Sequence, residues 1–123
     1  TTAAEARGLA GLVIDGCVRD AAALEAHGFV VFSTGLALTG ATKQEPGATG
    51  VTVTVGDVSV SPGDWIVGDR DGVVVVPATT LDAVLAAGTA RAAAEVGIFE
   101  RLRGGATTVD LLGLDASLIA EGD

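Results

Sequence analysis

The chain has no methionine and no tyrosine, and only one tryptophan, one histidine, one lysine and one cysteine among 123 residues. Each shortage closes a class of function. A lone cysteine, Cys17, excludes an internal disulfide framework and fits a reducing cytoplasm. One cysteine and one histidine, His27, do not supply the ligand set of a zinc site within one chain. With three Phe and one Trp, the core has to be built from aliphatic side chains. Cations are also scarce, seven against sixteen acids, giving a formal net charge of -9. They are spread along the chain, only Arg101 and Arg103 lying close together, so the basic stripe of a nucleic-acid binder is missing. No apolar run approaches the roughly 18 residues that would span a bilayer, and no secretory signal pattern is present. What is abundant is Val, Leu, Ala and Gly. Apolar residues make up 49%, and 18 glycines punctuate them singly, as turn positions do. The length suits one domain, 1–123, with a well-buried aliphatic core.

Local patterning gives an order of elements. Residues 1–7 are Ala-rich and closed by Gly8, a short helix that reads as already under way, so that a further segment is expected upstream. Leu9 to Ile14 is a short apolar run suited to a buried strand, followed by the loop Asp15-Gly16-Cys17-Val18-Arg19-Asp20. Ala21 to His27 is a helix stopped by Gly28, and Phe29 to Phe32 a second buried strand, parallel to the first. Residues 33–50 form a long loop. Val51, Val53 and Val55 then alternate with Thr, and Val58 and Val60 with Ser, around a hairpin turn at Gly56-Asp57. Pro62-Gly63-Asp64 is another turn, and Trp65 to Val67 and Val73 to Val76 are two more strands. Thr79 and Asp82 suggest a capping box at the head of a long helix that Gly104-Gly105 ends. A short helix over 107–112 and an acidic, frayed tail close the chain. The class is α/β: mixed sheets with a long C-terminal helix.

Chemistry is expected where the first buried strand ends, because open α/β sheets place ligands beyond the carboxyl ends of their strands. Asp15 and Asp20 flank that loop. Arg19 offers a planar fork of donors that suits a carboxylate. Asp20 offers hard oxygens that suit Mg2+ or Mn2+. Spacing alone equally admits a surface ion pair in which Asp20 caps the helix over 21–27. Cys17 reads as a small, half-buried thiol and His27 as a partner of a helix C-terminus. Asp69-Arg70-Asp71-Gly72 is too short for a calcium loop and reads as a solvated turn. Lys43 reads as an exposed loop residue.

Taken together, Val13-Ile14-Asp15-Gly16-Cys17-Val18-Arg19-Asp20, Gly28-Phe29-Val30-Val31-Phe32 with Gly35, Pro62-Gly63-Asp64-Trp65-Ile66-Val67 and Asp71-Gly72-Val73-Val74-Val75-Val76-Pro77 resemble the RraA-like family. That family holds the 4-hydroxy-4-methyl-2-oxoglutarate aldolases and the protein regulators of ribonuclease E. The resemblance implies a swivelling β/β/α layered fold of RraA-like type, assembled as a homotrimer or a hexamer of two trimers. It implies a class II aldolase that cleaves a 4-hydroxy-2-keto acid to pyruvate, with oxaloacetate decarboxylation as a side activity. In that picture Asp20 holds a divalent metal, Mg2+ or Mn2+, largely through water, and Arg19 binds the 2-keto acid and steadies the enolate. No lysine Schiff base is needed, which suits a chain whose one lysine is Lys43. Glu95 is the candidate acid offered to the site by a neighbouring subunit. The family's remaining site residues count back to before Thr1, so the domain is expected to lack its N-terminal part. Ala23 stands where relatives often carry an acid. Regulation of a ribonuclease by an acidic surface is the alternative reading, and a non-catalytic scaffold the third.

Overall fold

The structure is a computed structural model that describes residues 1–42, 44 and 46–118. Lys43 and the acidic tail from residue 119 onward lie outside the described residues. The chain divides into two compact units, Thr1–Thr79 and Thr80–Asp123.

The first unit opens with α1 (Thr2–Glu5), β1 (Gly11–Val18), α2 (Ala21–His27) and β2 (Val30–Leu36). β1 and β2 pair in parallel, as the strand–helix–strand pattern predicts. Gly28, at φ 76°, ends α2, and its amide reaches back to Leu24 and Glu25. Both strands start one or two residues later than the sequence reading puts them and end well beyond it. β1 does not stop at Ile14 but continues through Asp15-Gly16-Cys17 to Val18, and β2 runs on to Leu36. A bulge makes the longer β1 possible: the register passes from Ile14↔Ser33 to Cys17↔Gly35, three steps on β1 against two on β2. The extra residue falls at Asp15-Gly16, so Asp15 lies inside the strand and not in a loop.

Two antiparallel pairs follow: β3 (Val53–Val55) with β4 (Val58–Val60), and β5 (Trp65–Gly68) with β6 (Val73–Val76). The Gly56-Asp57 turn joins the first pair with Val55 opposite Val58, as predicted. Ser61-Pro62-Gly63-Asp64 turns with Gly63 at φ 96°, a type II arrangement with Pro and Gly in their preferred places. The Asp64 amide donates to the Ser61 carbonyl at 3.0 Å. Its carboxylate accepts from the Ser61 amide at 2.8 Å and from the Ala78 amide at 3.1 Å, so this aspartate staples the turn to the chain leaving β6. Asp69 and Asp71 form the expected solvated turn, the Asp71 amide donating to the Asp69 carboxylate at 2.8 Å.

Two long-range contacts join these pieces. The Gly56 amide donates to Asp15 Oδ2 at 3.0 Å, tying the β3–β4 turn to the bulge of β1 across 41 residues of chain. The Phe32 ring of β2 lies over Gly68 of β5, where a Cβ would stand 2.6 Å from Cζ. Gly68 is therefore a close-approach glycine. The well-buried aliphatic core expected from composition is not what the structure shows. Among the described residues only Phe29, at 8% exposure, is buried. Each sheet among them has two strands, too few to cover its own faces.

The second unit holds α3 (Leu81–Arg103) and α4 (Thr108–Leu112). A 3-10 turn, Ala78–Thr80, takes in Thr79, so the Thr79–Asp82 capping box does not start α3. The box is found at α4 instead, where the Asp110 amide donates to Thr107 Oγ1 at 3.1 Å and the Thr107 amide to Asp110 Oδ2 at 3.4 Å. The α/β class, with mixed sheets and the long C-terminal helix, stands as predicted.

Candidate active site

β1 delivers Arg19 and Asp20 at its C-terminal end, directly before α2. The carbonyl of Asp20 accepts from the Ala23 and Leu24 amides at 2.9 and 3.0 Å, which places Asp20 at the N-cap by its backbone. Its side chain makes no cap hydrogen bond. The reading in which the Asp20 carboxylate caps α2 is therefore not the one the structure adopts. The backbone explains why: a capping residue sits in the extended region, whereas Asp20 has φ 63° and ψ 38°. It is the one described non-glycine residue in the left-handed region. Ordinary residues lose roughly 1–2 kcal/mol there, and Asp and Asn are the usual exceptions. The conformation leaves the carboxylate unspent and 73% exposed.

Arg19 Nε lies 3.7 Å from Asp20 Oδ2, with the arginine side chain 60% exposed. That distance is too long for a hydrogen bond, and an exposed pair of this kind adds little stability. Both groups can thus turn to a ligand at small cost. On the other side of Arg19, Nη1 would be 3.3 Å from a Cβ at position 40, so Gly40 leaves room for the guanidinium.

The end of β2 completes the hollow. The Ala37 amide donates to the Val18 carbonyl at 2.9 Å, which extends the parallel pairing one residue past β2. This sets Leu36, Ala37 and Leu38 beside Arg19, Asp20 and Ala21 around a pocket of about 290 Å³. The volume is at the small end for ligand sites. Two larger hollows in the same unit, of about 470 and 400 Å³, are lined mostly by apolar residues, the smaller one partly by α2.

The other sequence candidates are occupied elsewhere. Asp15 is held by the Gly56 amide. His27 Nε2 meets Glu5 Oε2 at 2.8 Å, joining α2 to α1. Cys17 is exposed. Glu95, on α3, accepts from Arg91 Nε at 2.9 Å, one turn earlier on the same helix. Among the described residues no three His, Cys, Asp or Glu side chains gather as a metal cage. Sequence reasoning missed the Leu36-Ala37-Leu38 wall and Gly40, because only strand pairing brings them to Arg19.

The family model described as RraA-like, Aldolase/RraA, matches residues 1–75. The chain belongs to the RraA-like family. Over 74 residues, 60% of this chain and 35% of the relative, it is 42% identical to a protein of Halalkalibacterium halodurans named "Putative 4-hydroxy-4-methyl-2-oxoglutarate aldolase". It is 36% identical over 112 residues to an uncharacterized protein of Methanocaldococcus jannaschii, covering 91% of this chain and 54% of that one. A crystal structure of an uncharacterized protein from Pseudomonas syringae pv. tomato matches with a TM-score of 0.76 and 31% identity, over 86% of this chain and 54% of that one. The chain thus spans 35% to 54% of the length of these relatives. The stretch matched by the RraA-like family model contains Arg19, Asp20 and the apolar wall, and Glu95 falls beyond it. No helix among the described residues is long and apolar enough to cross a membrane.

Proposed function

We propose that this RraA-like chain belongs to a divalent-metal-dependent aldolase that cleaves a 4-hydroxy-2-keto acid of the 4-hydroxy-4-methyl-2-oxoglutarate type to pyruvate. The observation that carries the reading is the left-handed Asp20, whose carboxylate is withheld from the helix cap and set beside Arg19 in a small pocket. Non-glycine residues in such conformations concentrate at functional sites. The names of the relatives support the same reading.

The donor set is one exposed carboxylate. It fits a hard cation such as Mg2+ or Mn2+ that keeps most of its water, and does not fit a metal caged wholly by protein. When bound, such a metal supplies a Lewis acid for the keto oxygen. Asp20 would hold it. Arg19 binds the carboxylate end of the keto acid through its guanidinium fork and lends positive charge to the oxygen that becomes anionic as the C3–C4 bond breaks. The electron pair of that bond goes to C3, and the C4 hydroxyl loses its proton as C4 becomes a carbonyl. The resulting enolate takes up a proton at C3 to give pyruvate. Oxaloacetate would lose CO2 through the same enolate. The reading includes a homotrimer or hexamer in which Glu95 of a neighbouring copy completes the acid set.

Pyruvate release coupled to NADH oxidation tests the reading, on 4-hydroxy-4-methyl-2-oxoglutarate and on oxaloacetate, with and without Mg2+ or Mn2+. Metal-dependent turnover that disappears in Arg19→Ala is expected. No turnover of either compound at any metal level overturns it.

A further inference from the structure

Resting on that reading, we infer that Gly40 is a positioning residue: bare backbone at this point after β2 lets the Arg19 guanidinium lie where it meets the keto acid, and a side chain there displaces it. A glycine serves either its own backbone or the space beside it. The backbone reason does not apply, because φ at Gly40 lies outside the left-handed region that other residues avoid. The reason of space does. Among the described residues, and apart from its chain neighbours, the one atom within 4 Å of a Cβ at position 40 is Arg19 Nη1, at 3.3 Å.

Strand pairing arranges this meeting. The Ala37 amide bonds to the Val18 carbonyl, so the chain leaving β2 runs beside the residue after Val18 and brings Gly40 to the guanidinium. Asp20 Oδ2 stands 3.7 Å from Nε, so the fork has a carboxylate near Nε and bare backbone near Nη1. Gly40 is not among the residues that line the pocket, so a side chain at 40 acts on a ligand there through Arg19. The fold loses little by such a side chain. The guanidinium ends a flexible side chain that is 60% exposed, and its pairing with Asp20 is too long for a hydrogen bond to hold it. Arg19 therefore gives way by a few tenths of an ångström. The ligand loses more, because the two-pronged contact of a guanidinium with a carboxylate depends on its geometry.

The test compares Gly40→Ala and Gly40→Val with Gly47→Ala in the intact protein. Gly47 also lies outside the left-handed region, and a Cβ there meets nothing within 4 Å, so its variant controls for the loss of glycine flexibility. The Arg19 Nε–Hε signal in a nitrogen–proton correlation spectrum, assigned by its loss in Arg19→Lys, reads the guanidinium directly. Isothermal titration with pyruvate in Mg2+ reads the ligand, and circular dichroism checks the fold. Both Gly40 variants should move the signal. Misplacement by about 1 Å costs roughly a hundredfold in rate, so kcat/KM for pyruvate release should fall about fivefold in Gly40→Ala and about a hundredfold in Gly40→Val. Pyruvate binding should weaken in the same order, and Gly47→Ala should change none of these. A moved signal with pyruvate binding and release unchanged from the parent overturns the inference. Parental turnover with a signal unmoved by both Gly40 variants keeps the aldolase and removes the positioning role. A moved signal in a protein whose parent neither binds nor releases pyruvate sinks the aldolase and keeps Gly40 as the residue that places Arg19.

Discussion

Replacing Asp20 in turn by asparagine, serine and glycine separates what its backbone demands from what its carboxylate does. All three lose the 3.7 Å pairing with Arg19, so that term cancels between them. Asparagine tolerates the left-handed region as aspartate does, whereas serine does not, and the difference is about 1 kcal/mol. For 123 residues, an unfolding entropy of about 2.1 cal/mol/K per residue turns this into a Tm gap of about 4 °C. Glycine relieves the conformation by about 1 kcal/mol but frees the unfolded chain by a similar amount, so it should sit near the parent. A helix cap gives another order: serine and asparagine cap equally well, and their Tm values would coincide. The activity assay runs beside the melting curves. Asparagine should leave the fold intact and lower pyruvate release about a hundredfold or more, the loss of about 3 kcal/mol of metal-assisted stabilisation. Equal Tm values for Asp20→Ser and Asp20→Asn refute the backbone argument, and near-parental turnover in Asp20→Asn refutes the metal role.

Gly68→Ala should destabilise the first unit by about 1–3 kcal/mol, since its Cβ would stand 2.6 Å from the Phe32 ring; an unchanged denaturant midpoint would show that the ring moves aside freely. Asp15→Ala should cost about 1 kcal/mol and speed hydrogen exchange at the Gly56 amide, while Asp15→Asn, which keeps an acceptor, should do neither. Hydrogen bonds from the Ser117 hydroxyl and then from its amide hold the Asp115 carboxyl below its ordinary value of 3.8. The folded value is the lower one, so any stability it gives is present above the unfolded value and lost as pH falls through the folded one; an NMR titration should find Asp115 returning toward the ordinary value in Ser117→Ala.

The parts of the fold legible in the sequence are those whose cause is local. Alternating Val with Thr and Ser around Gly56-Asp57 dictates the hairpin, and His27-Gly28 ends α2 because glycine alone enters φ 76° without strain. Asp15 and Gly16 conceal the second half of β1. A charged residue and a glycine look like a loop, and only the pairing with β2 and the distant Gly56 amide keep them in a strand. Thr79 with Asp82 and Thr107 with Asp110 carry the same capping-box pattern, and only the second forms the box, a choice that local propensity does not make. At the site, the Arg19-Asp20 pair was legible through resemblance and strand position. The left-handed backbone at Asp20 was not, since no local signal distinguishes a capping aspartate from a strained one. The apolar wall came only with the parallel register.

The conformation of Asp20 also bears on how such a chain can change over time. A left-handed position admits aspartate, asparagine and glycine with little strain and penalises most other residues. A single nucleotide change converts an aspartate codon to either of the other two, and neither carries the charge. Mutation at this position therefore leads readily to chains that fold as before without this carboxylate. If Asp20 holds the metal as proposed, chemistry would be lost in one step without loss of the fold, leaving an intact surface free to be selected for another purpose.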